Sequence, residues 1–168
     1  MRPILVMAVL AALVVPAGAR AADSWGLEHE RPLELSGKVV DLLCEVAGDC
    51  PAGCGEGTRP LGILTVEGRL VPVAKGNVFF AGAVLDLLPF CGREVHADGL
   101  LIENPAMPLY FVQYLKASPD AAPAPTDAFI AAWRAPHGEA EEWFRADPTV
   151  KAVIERQGVL GIPSLKPE

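Results

Sequence analysis

Val84-Leu85-Asp86-Leu87-Leu88, followed by Pro89, is a short apolar run with no β-branched residue after Val84. That composition predicts a helix that stops before the proline, because the residue preceding a proline is disfavoured in the α region. On either side the chain reads as strands. Upstream, Leu33 to Cys44 is strand-like, with Gly37 placed where a barrel strand bends or bulges. Pro60–Thr65 and Leu70–Val73 flank the turn pair Glu67-Gly68 and read as a hairpin, with Pro72 confining the second arm to an edge or bulge. Downstream, Arg93 to Ile102 starts by alternating, Val95 and Ala97 on one face and Glu94, His96 and Asp98 on the other. Asn104-Pro105 opens a turn, and Leu109 to Leu115 is the last strand. The order is β-β-β-α-β-β. Five strands with one helix between the third and fourth predict a mainly β, OB-fold-like barrel with a short helical C-terminal extension. The competing architecture is an open β-sandwich fragment, and the position of the helix favours the barrel.

The start of the chain reads as an address. Met1-Arg2 precedes the apolar run Ile4 to Val15, which is shorter than the ~20 residues a spanning helix needs. Two small-residue exits follow, Ala17-Gly18-Ala19 and Ala19-Arg20-Ala21. A charged end, a short apolar core and such an exit predict a cleaved secretory signal over residues 1–21 and a periplasmic or secreted location. No cysteine follows the exit and the two arginines are not adjacent, which argues against a lipoprotein anchor and a twin-arginine signal. Cutting after Ala21 leaves 147 residues with 12 basic and 21 acidic side chains, a net charge of −9. So acidic a surface suits neither nucleic acid nor anionic lipid. No later segment is long and apolar enough to span a membrane.

The mature chain divides into a polar leader at 22–32 with Trp25, a barrel domain at 33–116 holding every cysteine, a Pro/Ala linker at 117–126 and a helical tail at 127–168. The linker predicts an extended tether with nothing to bury. In the tail, Thr126 reads as an N-cap, and Asp147-Pro148 opens a last helix that Gly158 closes. Phe129, Trp133, Trp143 and Phe144 either dock on the barrel and complete its core or form a partner-binding patch.

Cys44, Cys50, Cys54 and Cys91 carry the unusual chemistry. Asp49 to Gly55 predicts one helical turn, capped by Asp49, that sets the Cys50 and Cys54 sulfurs on one face. An even cysteine count in an oxidising compartment points to two disulfides. In that case Cys50 and Cys54 reach out to Cys44 and Cys91, because i,i+4 helical cysteines are awkward partners. The alternative is a soft-metal site for copper or zinc built from the four thiolates, with His96 and Met107 as weak extra ligands. The spacing is not that of a zinc knuckle, and the thioredoxin-type C-x-x-C is missing. No catalytic motif is present, so an exported binding or accessory protein that contacts a protein partner or small ligand is expected, with a metal carrier as the second reading.

Gly37-Lys38-Val39-Val40-Asp41 with Cys44, Cys50 with Cys54, Pro60 to Thr65 with Gly68, and Leu88-Pro89-Phe90 with Gly92 to Val95 resemble a group of small exported bacterial OB-like domain proteins, largely uncharacterised. The resemblance runs over about residues 33–116. It implies an OB-like barrel and an exported location, and it implies no activity.

Overall fold

A computed structural model describes residues 22–75, 82–158 and 162. The expected signal segment, 1–21, lies outside the described residues. The elements run β1 (Glu30–Asp41), α1 (Leu42–Ala47), β2 (Leu61–Thr65), β3 (Leu70–Ala74), α2 (Ala83–Leu87), β4 (Glu94–Ile102) and β5 (Leu109–Lys116). A two-residue strand β6 (Ala124–Pro125) and the helices α3 (Ala128–His137), α4 (Trp143–Ala146) and α5 (Pro148–Gln157) complete the chain.

The strands close into a five-stranded mixed barrel. The sheet order is β3-β2-β1-β4-β5, and a parallel pairing of Val73 and Ala74 with Tyr110 and Phe111 joins its two ends. The helix expected between the third and fourth strands is α2, and the whole is an OB-like barrel. β1 pairs with β4 over Glu30–Lys38 and with β2 over Gly37–Asp41, so Gly37 sits where one strand serves both neighbours. A Cβ there would come within 2.4 Å of the Leu64 carbonyl oxygen, which only glycine avoids. The ladder's bulge falls elsewhere, between Asp98 and Gly99 of β4. Pro72 is tolerated because the β5 pairing begins only at Val73.

Alternate residues of the strands fill the interior. Val39, Leu61, Ile63, Val71, Val95, Leu101, Tyr110 and Val112 are fully buried, and α2 adds Leu87. Burying a side chain of this size contributes about 1.5–3 kcal/mol, which makes these positions the main source of stability. The Tyr110 hydroxyl donates to the Leu33 carbonyl at 2.7 Å, satisfying the polar end of the largest core side chain.

Four expectations need correcting. The leader is folded onto the barrel: β1 starts at Glu30, inside it, and the Glu30 carboxylate accepts the backbone N–H groups of Trp25, Gly26 and Leu27 and the Ser24 hydroxyl. The Ser24 hydroxyl and the Leu27 N–H hold that carboxyl below its usual range. Asp98, expected to face water, is buried because Ala22 lies on it. The linker is not a free tether, since β6 pairs with Tyr114 and Leu115 of β5 and the buried Thr126 donates its hydroxyl back to β5. Thr126 therefore does not cap α3; the Ala128 N–H is accepted by Asp86 of α2 instead.

The end of the tail matches its reading. Asp147 caps α5 by accepting the Val150 N–H, and Gly158 follows its last residue. The aromatics form a satellite cluster outside the barrel core. Phe129 packs edge-on against Trp143, the Trp133 and Trp143 ring centroids lie 6.0 Å apart, and Phe144 also meets Trp143 edge-on, at 6.1 Å. Phe129 also fills the space over Gly82, which ties the cluster to the start of α2.

Candidate functional site

The four cysteines meet at one end of the barrel as two disulfides, Cys44–Cys50 and Cys54–Cys91, with Cα separations of 4.4 and 6.0 Å. A shallow hollow of 180 Å³ is lined by Asp41, Cys44, Cys54 and Cys91 together. Cys50 and Cys54 each reach outward, but the local geometry differs from the expected helical turn. Gly53, Cys54, Gly55 and Glu56 all have φ between 50° and 69°, a left-handed turn. The two glycines enter that region freely, and they carry the intervening Cys54 with them. Asp49 caps nothing; its carboxylate pairs with Arg59 at 2.7 Å.

Cys44 also lies inside α1 rather than at a strand end, because Asp41 ends β1 and starts the helix. One Asp41 oxygen accepts the N–H groups of Leu43 and Cys44, and Gly48 closes α1 in the left-handed conformation. The other Asp41 oxygen is buried without a hydrogen bond, 3.9 Å from the Arg59 Nε. Arg59 thus spans the stapled loop, with the exposed Asp49 at one end and the buried Asp41 at the other.

The metal alternative is corrected by the oxidation state of the sulfur. All four cysteines are consumed in bridges, so no thiolate is left to ligate copper or zinc. Among the described residues, no three His, Cys, Asp or Glu side chains converge on a metal-sized site. Met107 is exposed in the β4–β5 turn, and His96 is engaged elsewhere. Its Nδ1 lies 2.7 Å from the Ser36 hydroxyl, directly across the β1–β4 ladder. A serine beside a histidine suggests a nucleophile and its base. Both stand on a paired strand, whose N–H groups are committed to the ladder and not turned toward a developing oxyanion.

The larger concavity was not legible as a motif. It is an open groove of 370 Å³ between the leader, the β5–β6 edge and α3. Trp25, Tyr114 and Ile130 supply apolar wall, and Asp23, Lys75 and Gln113 supply polar groups. Trp25 is held in place by its tilted contact with Phe111, with ring centroids 5.5 Å apart. Gln113 fixes the leader through two bonds, accepting the Asp23 N–H at 2.9 Å and donating to the Asp23 carbonyl at 2.7 Å. Lys75 is neutralised from behind by Asp86, 3.0 Å away. The groove arises because the polar leader and the Pro/Ala linker both dock on β5. The predicted partner-binding aromatics do not line it: Phe129, Trp133, Trp143 and Phe144 face one another, with the Trp133 indole N–H donated to Asp147. No protein-family model matches this chain, and no curated protein and no solved structure is significantly similar to it.

Proposed function

We propose that this chain is an exported, non-enzymatic binding protein of the cell envelope: an OB-like barrel stapled by two disulfides that takes a small ligand in the groove beside β5. The groove carries this reading. Its 370 Å³ falls within the size range of small-molecule sites, and its wall has the usual character of such sites, apolar and aromatic with a few fixed polar groups. The polar groups are already oriented before any ligand arrives, Gln113 by Asp23 and Lys75 by Asp86. Prearranged groups cost less to order on binding. The disulfides support the location, since bridges persist in oxidising compartments.

Native mass spectrometry of the protein isolated from its own cell envelope tests the reading. A bound small molecule is expected on the native chain and lost from Trp25→Ala, which removes one wall of the groove. A chain that carries no adduct, or an adduct indifferent to Trp25→Ala, overturns it.

A further inference from the structure

We infer that leader cleavage occurs between Ala21 and Ala22, and that the α-ammonium it creates is a structural element of the mature fold, buried against the carboxylate of Asp98. The inference rests on the exported reading and goes beyond it by fixing the processing site and giving the new terminus a partner.

The sequence offers two exits of the same pattern, Ala17-Gly18-Ala19 and Ala19-Arg20-Ala21, and the second is the one taken above. The packing of Ala22 supports that choice. Ala22 is only 6% exposed, and its nitrogen lies 3.2 Å from the Asp98 Oδ1. The next residue is held as firmly, by the reciprocal pair of bonds between the Asp23 backbone and the Gln113 amide. The first residues after the second exit are therefore docked on β4 and β5, while a cut after Ala19 would leave Arg20 and Ala21 ahead of the docked residue. Hydrolysis of the Ala21–Ala22 amide consumes one water. It leaves a carboxylate on the departing leader and an amine on Ala22, which takes up a proton at neutral pH.

Asp98 needs such a cation. It is 7% exposed, and burial pushes its carboxyl above the usual aspartate range. The groups around it relieve this only in part. Glu34, its cross-strand partner on β1, repels it; Lys116 of β5 and the Gly99 N–H favour its charged form, but the Lys116 ammonium also stands 3.9 Å from that same Glu34. Tyr110 of β5 is a neutral phenol whose ionisation burial suppresses, and Tyr114 of the same strand stands opposite Asp98. His96, two residues away on β4, is engaged with Ser36. A peptide N–H at Ala22 gives Asp98 one hydrogen bond, whereas an ammonium gives it a full opposite charge in a poorly solvated place. The arrangement also serves the groove: Ala22 and Asp23 anchor the segment that presents Trp25 to it. The uncut precursor lacks that charge pair.

The test begins with the full precursor expressed in a secreting bacterial host, followed by intact mass and N-terminal sequencing of the exported product. A chain beginning at Ala22 is expected. A chain beginning at Arg20 or elsewhere overturns this inference alone, and an unprocessed precursor overturns the exported reading with it. The mature chain is then compared with the same chain retaining Ala21. The extra residue is expected to lower Tm by about 3 °C or more, and that difference is expected to vanish when Asp98→Asn is made in both chains. The Ala22 amine, followed by NMR, is expected to titrate above the ordinary α-amino range of about 7.7–8.0. Equal stability of the two chains, or an amine titrating at or below that range, overturns it.

Discussion

The ammonium of Lys75, at the end of β3, lies 3.0 Å from the Asp86 carboxylate of α2, and both side chains are about 5% exposed. The other oxygen of Asp86 accepts the first N–H of α3 at 3.0 Å. One buried carboxylate therefore ties barrel, crossover helix and tail together. Lys75→Met leaves that carboxylate without its cation, and Asp86→Ala leaves both the ammonium and the α3 N–H unmatched. Each is expected to destabilise the chain by about 3–5 kcal/mol in urea unfolding. The double variant is expected to lose less than the sum of the two, because the second change removes a charge already unpaired. Strict additivity would show that the pair does not act as a unit.

The two disulfides differ in the chain they close and in their exposure. Cys54–Cys91 spans 37 residues and packs its Cys54 end into the barrel core, whereas Cys44–Cys50 spans 6 and ends on the exposed Cys50. Loop-closure entropy then assigns about 4 kcal/mol to the longer bridge and about 2 kcal/mol to the shorter. Replacing Cys54 and Cys91 by serine is expected to cost about twice what replacing Cys44 and Cys50 costs. Limiting dithiothreitol is expected to open Cys44–Cys50 first, read by alkylation and peptide mapping. The intact mass of the untreated protein should lie four hydrogens below that of the fully reduced chain. Free thiols in protein from the envelope would sink the stapled picture.

How far the fold could be read in advance depended on whether local pattern or distant docking set each element. β2 and β3, the crossover helix, β5 and the cap and stop of α5 follow from alternation, Gly68, Pro89, Asp147 and Gly158, all of them local. The convergence of four cysteines on one end of the barrel was likewise legible, since the strand order brings those segments together. The left-handed turn at Gly53–Glu56 was not, because glycines at 53 and 55 permit it without requiring it. The groove was least legible of all. Asp23 lies in the polar leader, Gln113 in the last strand, and Thr126 reads as a helix cap; only hydrogen bonds to residues far along the chain make them walls.

The shared register of β1 leaves no room for a side chain at Gly37. A methyl group there meets the Leu64 carbonyl oxygen at 2.4 Å and the Ile63 side chain at 2.8 Å. The nearer atom is backbone and cannot rotate away. Gly37→Ala is expected to cost about 1–3 kcal/mol or more, the range for overpacking a filled interior. Gly68→Ala meets nothing within 4 Å and pays only for its φ of 78°. A thermal melt in which Gly37→Ala matches the native chain would show that β1 and β2 separate at that point.

Acid should release the tail before the barrel. The Asp147 carboxylate accepts the Val150 N–H at 2.9 Å and the Trp133 indole N–H at 2.7 Å, and these bonds hold its carboxyl below the ordinary aspartate range. A carboxyl depressed in the folded chain contributes stability that is fully present above its unfolded pKa and is lost as pH falls through the folded value. The window therefore lies below about 3.9, the unperturbed aspartate pKa. Trp133 packs against Trp143, so near-ultraviolet circular dichroism reports the cluster directly. The native signal is expected to hold at about pH 5 and to fall away below about pH 3.9, while β-sheet absorption in the far ultraviolet persists. Asp147→Asn cannot titrate, so its weaker tryptophan signal is expected to stay level over the same window. If the variant shows the same acid transition as the native chain, the bond between Trp133 and Asp147 is not what holds α5 to α3.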